Sequence, residues 1–194
     1  MNRIERNSLM TLEAYAKARP EFRARVLAHK KDRTLPLGPN VTLIFEDELT
    51  IRYQVQEMLR VEKTFEEEGI QDEIEAYNPL IPDGTNWKAT MMIEFPDVEE
   101  RKRRLAEMRG VEHQVWARCT GHPKVTAFAD EDMERSNEAK TSAVHFLRFE
   151  LSAEMRAALR AGADLSVGID HPQYRAEIQV PDAIRSSLLR DLSE

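Results

Sequence analysis

The sequence predicts an α+β fold, a helical N-terminal part packed on a mostly antiparallel sheet that is built from a tandem βαββ duplication. Three observations predict it. Helical periodicity governs residues 1–78, and two-residue alternation marks the strands after residue 87. In that second part the order strand, capped helix, glycine, strand, His-Pro turn, strand occurs twice.

The elements follow in chain order. Ser8 suits the N-cap of a helix over Leu9 to Arg19, and Pro20 suits the first turn of a second helix to Lys31, so the chain opens as a helical hairpin or a kinked helix. The Pro- and Gly-containing stretch Leu35 to Asn40 is a loop leading into the strand Val41 to Glu46. Asp47 caps a long helix, Glu48 to Glu68, that Gly69 ends, and a short helix follows over Gln71 to Tyr77. Asn78 to Asn86, with two prolines and an Asp-Gly turn, is the best boundary in the chain.

Beyond that boundary Trp87 to Phe95 alternates, placing Trp87, Ala89, Met91, Ile93 and Phe95 on one face. Asp97 and Glu100 open a helix that closes at Gly110, and strands follow over Glu112 to Thr120 and Lys124 to Ala129 around Gly121-His122-Pro123. The second copy is Ala143 to Leu151, a helix from Ser152 to Gly162, Leu165 to Asp170, His171-Pro172, and Tyr174 to Val180. The spacing between copies shrinks from 52 residues at the glycine to 49 at the His-Pro. Asp130 to Ser142 reads as a solvated linker or exposed helix, and a last helix from Pro181 carries Ile184, Leu188, Leu189 and Leu192 as an apolar stripe. The whole, 1–194, fits one compact domain with sub-parts 1–78 (helices and one strand), 87–130 (first βαββ module) and 143–194 (second module plus helix).

Composition excludes several function classes. No apolar run reaches the roughly 20 residues that cross a bilayer, and the charged first ten residues do not suit a signal peptide, so no membrane partner and a cytoplasmic location are expected. The lone Cys119 forms no internal disulfide and no CxxC motif, and its alternation with Val115 and Ala117 makes it a small buried hydrophobe. The net charge of -7 conceals a basic arm, residues 1–34, with nine Lys/Arg against four Asp/Glu. The acidic remainder disfavours nucleic acid; RNA binding by the arm is a minor alternative beside an arm that docks on its own acidic body. Self-association is compatible with the sequence.

Candidate chemistry comes from polar residues on packing faces. On the long helix Ile51, Val55, Met58 and Phe65 form a stripe, with Glu62 between Val55 and Met58 in angle. His29 shares a side with Phe22 and Val26, and His145 shares a strand face with Ala143, Leu147, Phe149 and Leu151. Two imidazoles and a carboxylate make the ligand set of many non-haem iron or zinc sites, so His29, Glu62 and His145 are candidate ligands for a divalent iron, manganese or zinc ion in an oxidoreductase-type enzyme. A glutamate paired with Arg52 or Arg148, and histidines bonded to backbone carbonyls, fit the same pattern. Gln54, Glu57 and Arg60 share the flank of the long helix, where they pair or support that site. Glu66-Glu67-Glu68 at the helix C-terminus opposes its dipole and hints at an external cation or basic partner, or is a solvated run. His122 and His171 read as exposed turn residues. No Glu-x-x-His, His-Glu-x-x-His, P-loop or G-x-G-x-x-G is present, so no recognised catalytic motif applies.

Several stretches carry a family resemblance: Glu21 to Val26, Thr42 to Asp47, Tyr53 to Arg60, Tyr77 to Gly84, and Val144-His145-Phe146-Leu147. Over nearly its whole length the chain resembles the bacterial family of unknown function numbered three thousand five hundred and one. That resemblance implies no activity and no catalytic residues. It implies a setting beside rubrerythrin and an iron-sulfur oxidoreductase, hence a redox or peroxide-stress context by association. The reading that results is a non-catalytic accessory or binding protein of a redox system, which recognises a protein partner through its acidic surface or the groove between the two modules.

Overall fold

The computed structural model describes residues 3–131, 133, 135–137 and 139–193. Strand β1 (Thr34–Pro36), β2 (Val41–Glu46), β3 (Asn86–Ile93), β7 (Val144–Glu150) and β6 (Phe128–Ala129) form one five-stranded sheet in the order β1-β2-β3-β7-β6. A second sheet has the order β5-β4-β8-β9, from β5 (Val125–Thr126), β4 (Val115–Cys119), β8 (Leu165–His171) and β9 (Tyr174–Gln179). Every pairing is antiparallel. The alternating residues of β3 do what their period demands: Trp87, Ala89, Met91 and Ile93 are all buried, and Phe95 just beyond the strand is too. They join one large core with Leu43 and Phe45 of β2, Leu147 and Phe149 of β7, and Val115, Val167 and Ile169 of the second sheet. Helices α4 (Val98–Glu107), α5 (Ala153–Arg160) and α6 (Asp182–Leu189) add Leu105, Met155, Leu159, Ile184 and Leu188 to it.

The opposite face of the five-stranded sheet looks toward a helical layer, α1 (Leu12–Lys31), α2 (Glu48–Glu62) and α3 (Glu67–Tyr77), which has two small apolar clusters of its own. The expected caps are present, with Asp47, Asp97 and Ser152 each accepting the backbone N–H three residues on.

Several boundaries differ from expectation. Of the two expected openings, a hairpin or a kinked helix, the chain does not form the hairpin: it is one helix capped by Thr11, with Pro20 inside it and Ser8 in a preceding 3-10 turn. An internal proline costs about 3 kcal/mol; packing of Tyr15 on one side of it and Phe22 and Val26 on the other offsets that. The long helix does not reach Glu68. It stops at Glu62, Lys63 turns left-handed (φ 55°), and α3 begins with Glu66 as its N-cap. Electrostatics accounts for the break. In one long helix Glu66, Glu67 and Glu68 would crowd the negative C-terminal end, whereas they now fill the cap and first turn of α3, where the dipole favours them. The first part also holds two strands rather than one, since Thr34–Pro36 pairs with β2. The strand Lys124 to Ala129 is divided, β5 pairing with β4 and β6 with β7, so it bridges the sheets. The 130–142 segment contains no helix among its described residues.

Candidate functional site

The structure does not gather His29, Glu62 and His145. His29, half-buried near the end of α1, donates from Nε2 to Asp47 Oδ2 at 2.5 Å. Glu62 is the last residue of α2 and lies exposed. The helix ends there, so its place on the helical wheel does not bury it. The supporting residues have other work. Arg52 pairs with Glu48 and donates to Ser8 O at 2.6 Å. Arg148 bridges Glu131 and Glu150 at 2.7 and 2.6 Å. Glu57 accepts from the Tyr15 hydroxyl at 2.6 Å and from Arg19 Nε and Nη2 at 2.7 and 2.9 Å, tying α2 to α1. Gln54 lines the cavity between α2 and the sheet, together with Tyr77.

His145 is fully buried, as its strand phase requires, but its partners come from elsewhere. Asp130, which follows β6, takes a left-handed turn (φ 51°) that an aspartate tolerates, and its two carboxylate oxygens accept from Phe146 N and His145 Nδ1 at 3.0 and 2.6 Å. Glu112, in the 3-10 turn Val111–Gln114, accepts from Ser136 Oγ at 2.5 Å and Thr141 Oγ1 at 3.0 Å. Burial alone would raise the Glu112 carboxyl; the hydroxyls, its own backbone N–H and the nearby imidazole outweigh that and hold it below the usual carboxylate range.

Proton accounting follows from these contacts. An ionised Glu112 only accepts, so Thr141 spends its one proton on it and its oxygen accepts from His145 Nε2 at 2.9 Å. The same Nε2 donates to Ser142 O at 3.1 Å, and Nδ1 donates to Asp130. Both ring nitrogens are thus engaged, and His145 is held between the carboxylates of Asp130 and Glu112.

Glu112, Asp130 and His145 are, among the described residues, the group whose ligand atoms gather within 4.8 Å, so they are the residues that could hold a metal. His145 Nε2 and Glu112 Oε2 stand 3.9 Å apart, near the limit that two ligands at about 2.1 Å from an ion can span. The Thr141 hydroxyl already sits between them at hydrogen-bond distance from both. An ion would have to displace it and take the Nε2 proton. The order Asp130-His145-Thr141 also echoes a hydrolytic triad, but Thr141 is fully buried and donates to Glu112, so it presents no nucleophile. The cluster is a closed polar network that pins the acidic 130–142 segment over the core. Reading that segment as solvated hid it; the Ser and Thr among its acids were the one hint that it is not all solvated.

His171 is buried rather than exposed, donating from Nε2 to Arg109 O at 3.0 Å and accepting from Gln173 N at 3.2 Å. Cys119 is buried, which pushes its thiol up, as suits a packing residue. The basic arm does dock on the acidic body: Arg6 pairs with Glu67, Arg19 with Glu57, and the buried Arg33 with Asp191 and Asp47.

The most exposed large apolar side chains lie at the α2–α3 break, with Phe65 71% and Val61 62% exposed. Beside Phe65 runs a groove of about 330 Å³ whose walls include Leu9, Leu12, Leu59 and Ile70. Glu13 and Arg6 line it, Arg6 paired with Glu67, and the exposed Glu62, Lys63, Glu66 and Glu68 stand around the break, so the surround is mainly acidic. No helix is long and apolar enough to cross a membrane among the described residues.

No curated protein matches the chain. A crystal structure from Burkholderia pseudomallei, described as a novel protein of unknown function, is 51% identical, covers 99% of this chain and 100% of its own, and superposes with a TM-score of 0.94. The model of the family "Protein of unknown function (DUF3501)" matches residues 3–192. The chain therefore belongs to the DUF3501 family.

Proposed function

We propose that the protein is a non-catalytic binding protein of a cytoplasmic redox system that docks a partner protein at the α2–α3 break. The observation that carries this is the exposed Phe65 beside an apolar groove within an acidic surround. Phe65 is not a scattered side chain: it lines the groove together with Leu9, Leu12, Leu59 and Ile70, and a contiguous apolar surface of that kind marks an interaction site. The acids around it specify the occupant, a segment of a partner protein with apolar anchors flanked by Lys or Arg, and they would speed its encounter. The absence of a catalytic motif and the closed state of the His145 network both favour binding over catalysis.

The partners that the family resemblance implies, a rubrerythrin and an iron-sulfur oxidoreductase, are the two to test as purified proteins. Calorimetry is expected to show binding by one of them that weakens with salt and is lost in Phe65→Ser. Binding by neither, or binding that Phe65→Ser leaves unchanged, rejects the proposal. We also infer that β3-α4-β4-β5 and β7-α5-β8-β9 are copies of one unit; what supports this is that β3 pairs with β7 and β4 with β8, leaving β5 and β9 as the outer strands.

A further inference from the structure

Between the outer face of the five-stranded sheet and the helical layer lies a cavity of about 280 Å³, distinct from the docking groove. Its floor follows from strand register: Ile44, Thr90 and Phe146 are cross-strand neighbours, and Met92 lies in the next row. Ile51 and Gln54 of α2, with Tyr77 and Leu80, form its roof. The size suits a small organic molecule, and an apolar lining with a few placed polar groups is the usual make-up of a ligand site.

One polar group stands out. Glu46, the last residue of β2, lines this cavity and is only 8% exposed. It accepts two hydrogen bonds, from Thr50 Oγ1 at 2.5 Å and Thr90 Oγ1 at 2.7 Å. Both donors are neutral. Lys30 is at the cavity wall, and Lys88 is the cross-strand partner of Glu46, yet neither is ion-paired with it among the described residues. A carboxylate has about four acceptor positions, so two remain without a donor. A buried carboxylate without a countercharge is costly, and a cation entering this cavity would remove that cost.

We propose that this cavity binds a small organic cation, with an ammonium or guanidinium group on Glu46 and an aliphatic or aromatic body against Ile44, Met92 and Phe146. The Tyr77 ring is suited to flank such a charge, whereas one face of Phe146 already carries the Arg135 guanidinium, 4.5 Å from its centroid. Neutral molecules of the same shape would lack the charge-assisted bond and bind less well.

The test titrates the full chain with benzylamine, butylamine and agmatine, and with the neutral benzyl alcohol and butanol, following amide NMR shifts up to about 10 mM. Saturable binding by at least one amine is expected, with shifts at Ile44, Thr90 and Phe146 and a clear preference over its alcohol. Glu46→Gln is expected to weaken amine binding roughly ten- to hundredfold while leaving the alcohol unchanged. No saturable amine binding, equal binding of the alcohols, or an unchanged affinity in Glu46→Gln overturns the proposal. Should Glu46→Gln not fold, Met92→Trp decides: it fills the cavity and leaves the carboxylate, so retained amine binding in it is equally fatal. Phe65→Ser is expected to leave amine binding intact, which separates this result from the fate of the docking face.

Discussion

Replacing Glu57 by Gln tests what holds the helical layer together. The carboxylate receives Tyr15, both Arg19 donors, and Arg60 at 3.2 and 3.3 Å, so three side chains from two helices converge on it. The Arg19 hydrogen bonds are the largest influence, and they and the other donors overcome burial to hold Glu57 at about 2, against an ordinary 4.5. Because the folded-state value is depressed, the unfolded chain binds more protons in this interval; the stabilisation is full above about 4.5 and is lost as pH falls through about 2. The full shift would correspond to about 3 kcal/mol, and since Arg19 and Arg60 are about a third exposed, screening reduces it to roughly 1–2 kcal/mol. Urea unfolding followed by circular dichroism should therefore find Glu57→Gln weaker by about that much near pH 7, with the deficit shrinking toward pH 3. The difference between the two chains is the quantity to follow, because Asp191 works with the opposite sign. Burial raises Asp191 to about 6, so its contribution is full below the ordinary 3.8 and falls as pH rises through 6 in both chains. A deficit that is absent near pH 7, or equally large at both pH values, would refute the reasoning.

Two further outcomes follow from buried contacts. His145→Leu takes the buried ring partners away from Asp130 and Thr141 and should cost roughly 1–3 kcal/mol in urea unfolding; a loss below about 0.5 kcal/mol would show that this network does not hold the segment in place. Gly168→Ala would place a Cβ 2.2 Å from Trp116 Cζ2 and 2.9 Å from Ala176 O, and should lower stability by about 1–3 kcal/mol, with Trp116→Leu in the same chain recovering part of it.

How much was legible in the sequence depended on whether a feature was periodic. The buried face of β3, the inward phase of His145 and the caps at Asp47, Asp97 and Ser152 all follow from spacing, and spacing survives folding as long as the element continues. Glu62 shows the limit. Its angle on the helix was readable, but its environment depended on where the helix stopped, and Lys63 stops it in a left-handed turn that no period announces. The acids after it were the clue: their conflict with the dipole was visible, and a new helix start resolves it more directly than an external cation. Asp130, Glu112 and Thr141 lie in a turn, a 3-10 segment and an irregular stretch, so their convergence on His145 is a matter of tertiary structure alone. Arg33 is the same kind of case, reaching from the end of α1 to Asp191 near the C-terminus.

The two buried glutamates differ in a way that decides where a ligand would be useful. Glu112 is compensated on every side: two hydroxyls donate to its two oxygens, and the His145 ring is 3.9 Å away. Adding a cation there would displace bonds that already exist, so the gain would be small. Glu46 has the same number of hydroxyl donors but, among the described residues, no ion pair to its carboxylate, since Arg33 donates to its backbone oxygen instead, and it borders open volume rather than packed side chains. A cation would add bonds there without removing any. Polar satisfaction, taken residue by residue, thus turns attention from the site that looks like a metal centre to one that resembles no named motif. It also explains why Glu46 gave no signal in the sequence, since it ends a strand of alternating Thr42, Ile44 and Glu46 whose outward face reads as ordinary surface until the helical layer is laid across it.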